Sequence, residues 1–174
     1  CDYIASRGGI PVVLSLPWLT QRGYGEDDFV RVYRGIIAAV DTEIILHWLG
    51  PMFLPTLEGN FPGASMHRIL EHDPARVRAL KLSMLDAKLE SGLRVEMAGR
   101  DQVMFTGDDW NFADLIEGGG EVSGETTLGG RRVPTGDFSH ALLGIFDGIA
   151  EPAGLALKAM AIGDVETYRT LMLS

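Results

Sequence analysis

The sequence predicts an α/β fold in which short, fully buried strands alternate with helices. Three observations carry that reading. Apolar runs of five to nine residues recur along the chain. Consecutive positions within them are apolar, as in strands covered on both faces. Between the runs lie stretches with helical spacing or helix-start signals, and Pro or Gly closes most of the runs.

The first strand is expected at Val12 to Leu16, after Gly8-Gly9 and before Pro17. From Glu26 to Val40 the apolar positions Phe29, Val32, Tyr33, Ile36, Ile37 and Val40 form the stripe of an amphipathic helix. Glu26, Asp27 and Asp28 suit its positive N-terminal end. A second strand covers Ile44 to Leu49 and stops at Gly50-Pro51. The Pro- and Gly-rich loop from Pro51 to Gly63 leads to a short helix near Met66 to Glu71. The third strand is Val77 to Leu85, with a helix from about Asp86; the fourth is Gln102 to Thr106, with a helix from Asn111 to Ile116. Ala141 to Phe146 is the fifth strand. Two closing helices follow Pro152 and Gly163-Asp164. Glu117 to Phe138 has seven glycines and no periodicity, and reads as a mobile surface loop inserted into a single domain of residues 1–174.

Composition narrows the function class. The chain has 174 residues, enough for one ordinary domain with a core, and is 46% hydrophobic and 22% charged. Its net charge of −9, with no Lys/Arg stripe, argues against a nucleic-acid partner. No apolar run approaches the roughly 18 residues of a membrane span. The single cysteine, Cys1, forms no internal disulfide, which fits a cytoplasmic location. Residues 1–16 carry no signal peptide, yet the chain opens inside a helix-like phrase, CDYIASRGG, so a preceding segment is expected.

Ligands of parallel α/β proteins bind beyond the carboxyl ends of the strands. A polar residue stands near that end of every expected strand: Ser15; His47; Lys81 with Ser83; Thr106 with Asp108 and Asp109; and Asp147. In VRALKLSML, Ala79, Lys81 and Ser83 share one face while Leu80, Leu82 and Met84 share the other. The large apolar face suits packing on helices, and the small face suits a barrel interior. A buried ammonium is costly, and a lysine that escapes by a lowered pKa becomes an imine-forming nucleophile. The competing reading is a lysine that snorkels to the rim or pairs with Asp108 or Asp86. Length favours an open doubly wound sheet, while these strand ends favour the last five strands of an eight-stranded (β/α)8, or TIM, barrel.

The phrases ILHWLGPMF (45–53), ALKLSMLD (79–86), MFTGDDWNFADLI (104–116) and HALLGIFDGIAEPAG (140–154) carry a family likeness. Through them the chain resembles the dihydrodipicolinate synthase and N-acetylneuraminate lyase superfamily of class I aldolases. More closely, it is similar to a bacterial branch described only as dihydrodipicolinate-synthase-like. The resemblance implies the C-terminal half of a TIM barrel, about strands four to eight. It implies that Lys81 is the imine-forming lysine of strand six, and that Gly107 and Asp108 form the pocket-lining turn after strand seven. Gly144 and Ile145 would line the pocket from strand eight. The superfamily also implies a homo-oligomer and no cofactor beyond the covalent imine. This chain departs from the family at a catalytic position and at a carboxylate-binding one. Trp18 stands in the stretch that holds a tyrosine, and Met52 and Phe53 stand where synthases carry an arginine.

The leading expectation is a carbon–carbon lyase or aldolase that takes a small 2-oxo acid or aldehyde through Lys81. His47 would move protons, since imidazole titrates near neutrality, or else serve as a hydrogen-bonded core histidine. Ser15, Thr106, Gly107, Asp108 and Gly144 would contact the substrate. One alternative is a metal-dependent barrel enzyme using His47, Asp108 and Asp109, although the chain has no HxH or HxxxH pair. Another is a non-catalytic small-molecule-binding barrel. His140 is expected to be structural, and His67 and His72 solvated. Trp18, Trp48 and Trp110 would wall an apolar pocket or seal the top of the sheet. No phosphate-loop pattern follows any strand.

Overall fold

The computed structural model describes residues 1–120 and 122–173. Its centre is a sheet of five parallel strands in sequential order: β1 (Val12–Val13), β2 (Ile44–Leu49), β3 (Val77–Ser83), β4 (Val103–Thr106) and β7 (His140–Ala141). The intervening β5 (Val122–Leu128) and β6 (Arg131–Gly136) form a separate antiparallel hairpin. Each sheet strand lies beside the one before it, so the order never reverses as it does in an open doubly wound sheet.

Helices form one layer on this sheet. After the short α1 (Asp2–Ala5) come α2 (Pro17–Gln21), α3 (Glu26–Ala38), α4 (Ser65–Leu70) and α5 (Ala87–Ala98). They are followed by α6 (Phe112–Glu117), α7 (Ala150–Ala161) and α8 (Val165–Met172). The predicted stripe of α3 is the one that packs, with Phe29, Val30, Tyr33 and Ile37 buried. These side chains meet Leu46, Leu80, Leu82 and Met104 from alternate strand positions, together with Met66, Ile69 and Leu70 of α4. Because Leu80 is wholly buried there, truncation to Ala would cost about 2–5 kcal/mol. The opposite, inner face carries the complementary positions in rows across the strands. One row is Ile45, Ala79 and Val103; the next is His47, Lys81, Phe105 and His140.

Several boundaries differ from the sequence expectation. Within 117–138, where the sequence predicts a mobile loop, residues 122–136 form a hairpin; Glu121 lies outside the described residues. Gly129 and Gly130 turn it with φ of 57° and 74°, the conformation two-residue hairpin loops require. Leu128 and Val133 then bury against Ile45, Ala79 and Val103 with Ile10. Gly129 N–H donates to Glu43 Oε2 at 2.8 Å, and the Arg78 guanidinium donates to Thr126 Oγ1 and Thr127 O. The hairpin thus covers the inner face at the N-terminal ends of the strands.

The first strand stops at Val13, not Leu16, because a side chain replaces the ladder. Ser15 Oγ donates to His47 O at 2.9 Å and accepts from Leu49 N–H at 3.0 Å. Pro17 then opens α2 at a first-turn position, where a missing N–H costs nothing. The fifth expected strand shrinks to His140–Ala141. Leu142 N–H still reaches Thr106 O at 3.2 Å, but Gly144 takes helical angles and starts the 3-10 turn Ile145–Asp147. Leu85 lies outside β3, with φ of 53°. The closing helices match expectation, except that α7 begins at Ala150, ahead of Pro152. No helix among the described residues is long and apolar enough to cross a membrane.

Candidate functional site

The inner face divides into an apolar lower row under the hairpin and a polar upper row. Lys81 lies at the centre of the upper row, with His47 on one side and Phe105 on the other in direct register. Strand alternation dictates this: Leu80 and Leu82 go to the helices, so Lys81 goes inward. Its stem leans toward the carboxyl end of the sheet, over Gly107. A Cβ at Gly107 would collide with Ser83 Oγ and lie 2.8 Å from Lys81 Cε and 3.1 Å from Leu82 O. Gly107 is therefore the residue whose missing side chain makes room for the lysine.

Partial burial holds the Lys81 ammonium below the ordinary lysine range, while the nearby Asp109 carboxylate acts in the opposite direction. Asp109 Oδ1 is buried and accepts no hydrogen bond from a described residue. His47 is pushed down to about 4, first by burial and then by the Lys81 charge, so its ring is neutral at pH 7. His47 Nε2 lies 3.0 Å from Ser83 Oγ. With the proton on Nδ1, the imidazole accepts the Ser83 hydroxyl; with the proton on Nε2, it donates to it. In either tautomer the neutral ring and the Ser83 hydroxyl stay hydrogen-bonded to one another.

The other expected contacts fall elsewhere. Ser15 is buried and engaged with His47 O, Leu49 N–H and the Asn60 amide, so it fastens the end of β1 to β2. Thr106 faces the helices, where its hydroxyl donates to Glu90 Oε2 at 3.2 Å. Asp108 is buried and fixes the turn into α6, accepting from Trp110 N–H and Asn111 N–H at 2.9 Å each and from the Asn111 amide at 2.8 Å. Gly144 sits at the start of the 3-10 turn after β7, with open space where a Cβ would lie. Of the residues expected to contact substrate, Gly107 is the one packed beside Lys81 Cε and Ser83 Oγ. Among the described residues, no three His, Cys, Asp or Glu side chains converge as a metal site.

The remaining histidines and tryptophans separate by face. His140 closes the upper row, its Nε2 2.8 Å from Pro134 O and its ring against Phe105 and Phe138. Burial holds it below the usual histidine range. His67 meets Glu96 at 3.0 Å and His72 is exposed. Trp48 turns to the helix side, its ring centroid 5.5 Å from that of Phe61. Trp18 and Trp110 are exposed beyond the strand ends.

Sequence reasoning missed a second polar cluster behind the sheet. Glu90 is 1% exposed, and its carboxylate accepts from Ser139 Oγ at 2.6 Å and from Thr106. Burial pushes it up to about 7; the Ser139 and Thr106 hydroxyls pull it down, Asp108 pushes it up and Arg94 pulls it down. Arg94 itself is committed to Asp137 at 2.7 Å and Leu115 O at 3.0 Å. The signal was present in the sequence: Glu90, Leu93, Arg94 and Met97 are spaced as one buried helical stripe, and two of them are charged.

The model of a family described as "Protein of unknown function (DUF993)" matches residues 1–174, and the chain belongs to that family. No curated protein matches the chain.

Proposed function

We propose that this DUF993 protein is a Schiff-base-forming lyase or aldolase in which Lys81 attacks a small carbonyl substrate. The observation that carries the reading is Lys81 itself. It is an inward-facing, partly buried lysine with its stem over Gly107, and it lies beside a neutral imidazole that is hydrogen-bonded to a hydroxyl. The resemblance to class I aldolases supports the same assignment. We also read the sequentially ordered parallel sheet as the arc of strands four to eight of a TIM barrel. Its inward rows and one-sided helices support that reading.

The steps balance without a further reagent. The Lys81 amine adds to the substrate carbonyl, a proton moves to the oxygen, and water leaves. The protonated imine then accepts the electron pair of the adjacent carbon–carbon bond. Cleavage releases one carbonyl product and leaves an enamine on Lys81. Protonation at carbon and addition of water release the second product and the free amine. His47 and Ser83 supply and accept the protons, with Ser83 the hydroxyl and His47 the base that stays neutral between steps. The Asp109 charge favours the positive charge on nitrogen.

An enamine exchanges its carbon-bound hydrogen with solvent. Incubation in deuterium oxide with 2-oxo acids and aldehydes that carry such hydrogens, followed by proton NMR, tests the proposal. Exchange by the natural protein, undiminished by a chelator and lost in Lys81→Ala, is the expected result. Exchange that disappears with the chelator would instead favour the metal-dependent reading through His47, Asp108 and Asp109.

A further inference from the structure

Glu90 joins three elements from behind the sheet. Its carboxylate, buried on α5, accepts from Thr106 Oγ1 at the end of β4 at 3.2 Å and from Ser139 Oγ, just before β7, at 2.6 Å. Thr106 Oγ1 in turn accepts from Asp108 N–H at 3.2 Å. The peptide held in this way is the one that follows Gly107, whose own N–H donates to Leu82 O at 2.8 Å. On the inner side of the same turn, the Cβ position of Gly107 lies 2.8 Å from Lys81 Cε. Contacts therefore run without a break from Glu90 through the Thr106 hydroxyl and the turn to the lysine stem.

The two protonation states of Glu90 treat Thr106 differently. The carboxylate accepts the Thr106 hydroxyl proton, which strengthens Oγ1 as an acceptor for Asp108 N–H. The acid, protonated on Oε2, donates to Oγ1 instead. The hydroxyl proton must then turn elsewhere, and two donors share one oxygen. The charged groups facing Glu90 are Asp108 from the turn and Arg94 one helical turn along α5, the latter held by Asp137 at 2.7 Å. Burial pushes Glu90 up to about 7, so both forms are present near neutrality.

We propose that Glu90 is a positioning residue for Lys81: its carboxylate, through the Thr106 hydroxyl, holds the 107–109 turn against the lysine stem, and its protonation slackens that hold. This rests on the imine reading of Lys81 and adds to it a pH-dependent control from the far side of the sheet.

Formaldehyde with cyanoborohydride methylates any free lysine amine, so it reads the placement of Lys81 whether or not the residue is catalytic. The natural protein is labelled at a series of pH values on both sides of about 7, wherever circular dichroism shows it folded. Peptide mass mapping gives labelling at Lys81 relative to Lys88 and Lys158, the other two lysines of the sequence. As Glu90 ionises, that ratio should rise by about two- to thirtyfold, the span of coupling through hydrogen-bonded networks. Glu90→Gln keeps an acceptor for Thr106 but does not titrate, and should abolish the step. Thr106→Val should abolish it too, and Glu90→Gln should then add no further effect. A ratio without a step, or a step that survives in either variant, would overturn the coupling and leave the imine reading standing. That reading fails separately, if Lys81 is methylated by formaldehyde yet traps none of a panel of larger aldehydes and 2-oxo acids.

Discussion

Lys81 stands in register with His47 on the neighbouring strand, and its charge adds to the burial that keeps the imidazole neutral. The pair therefore divides its work: the lysine provides nucleophile and charge, the histidine an uncharged proton acceptor bonded to Ser83. Removing the lysine charge in Lys81→Met should raise the His47 titration point above about 4, read from its ring signals by NMR. Burial remains, so the value should stay below that of a solvated histidine. An unchanged titration would mean that the two groups do not interact.

Asp109 opposes the effect of burial on Lys81 by favouring the ammonium. Asp109→Asn removes that support, so the amine should lose its proton at lower pH. The pH profile of imine formation, which rises as free amine appears, should then shift its midpoint downward. A shift to higher pH would show that Asp109 acts on Lys81 other than by its charge.

Gly107→Ala places a methyl group against Ser83 Oγ, Lys81 Cε and the Leu82 carbonyl, the last of which is backbone and cannot move aside cheaply. Overpacking of this kind costs typically 1–3 kcal/mol, so denaturant midpoints should fall accordingly. The displaced lysine should also lose reactivity toward carbonyl compounds, even under conditions where the variant is fully folded. Native stability and unaltered reactivity together would show that the lysine stem does not depend on this gap.

Glu90 makes folding depend on pH in the direction opposite to an ion-paired carboxylate. Its folded value of about 7 exceeds the 4.5 of an exposed glutamate. Below 4.5 both states hold the proton, and above about 7 both have lost it. Between them the folded state alone is protonated, so stability from this group falls as pH rises through that window. The loss is on the order of 3 kcal/mol at 1.36 kcal/mol per pKa unit. Glu90→Gln should flatten that part of the stability profile and make the protein relatively more stable at pH 8. An identical profile in the variant would remove Glu90 as its source.

Much of the sheet was legible because strand faces follow alternation. The division of VRALKLSML into a helix-facing leucine side and an inward lysine side is the one found, and the α3 stripe packs as spaced. The hairpin at 122–136 was hidden because its strands are polar and largely exposed; its one clear signal was Gly129-Gly130. The ends of β1 and β7 depended on tertiary bonds, from Ser15 to β2 and from Leu142 to β4, which periodicity does not carry. In the site, Lys81, His47 and Gly107 come together as the sequence suggested. Ser15, Thr106 and Asp108 do not join them, because a polar residue at a strand end serves equally well as a fastener, a helix-side partner or a turn cap. The importance of Ser83 and Asp109 emerges only from which atoms lie within reach of Lys81 and His47.

The central claim is that Lys81 forms the imine, and reductive trapping tests it most directly. The natural protein, incubated with a panel of aldehydes and 2-oxo acids and then treated with borohydride, is weighed intact and compared with Lys81→Ala. The expected result is a mass gain equal to one reduced carbonyl compound in the natural protein and none in the variant, with both folded by circular dichroism. Equal labelling of the two proteins, or no labelling of either across the panel, would contradict it.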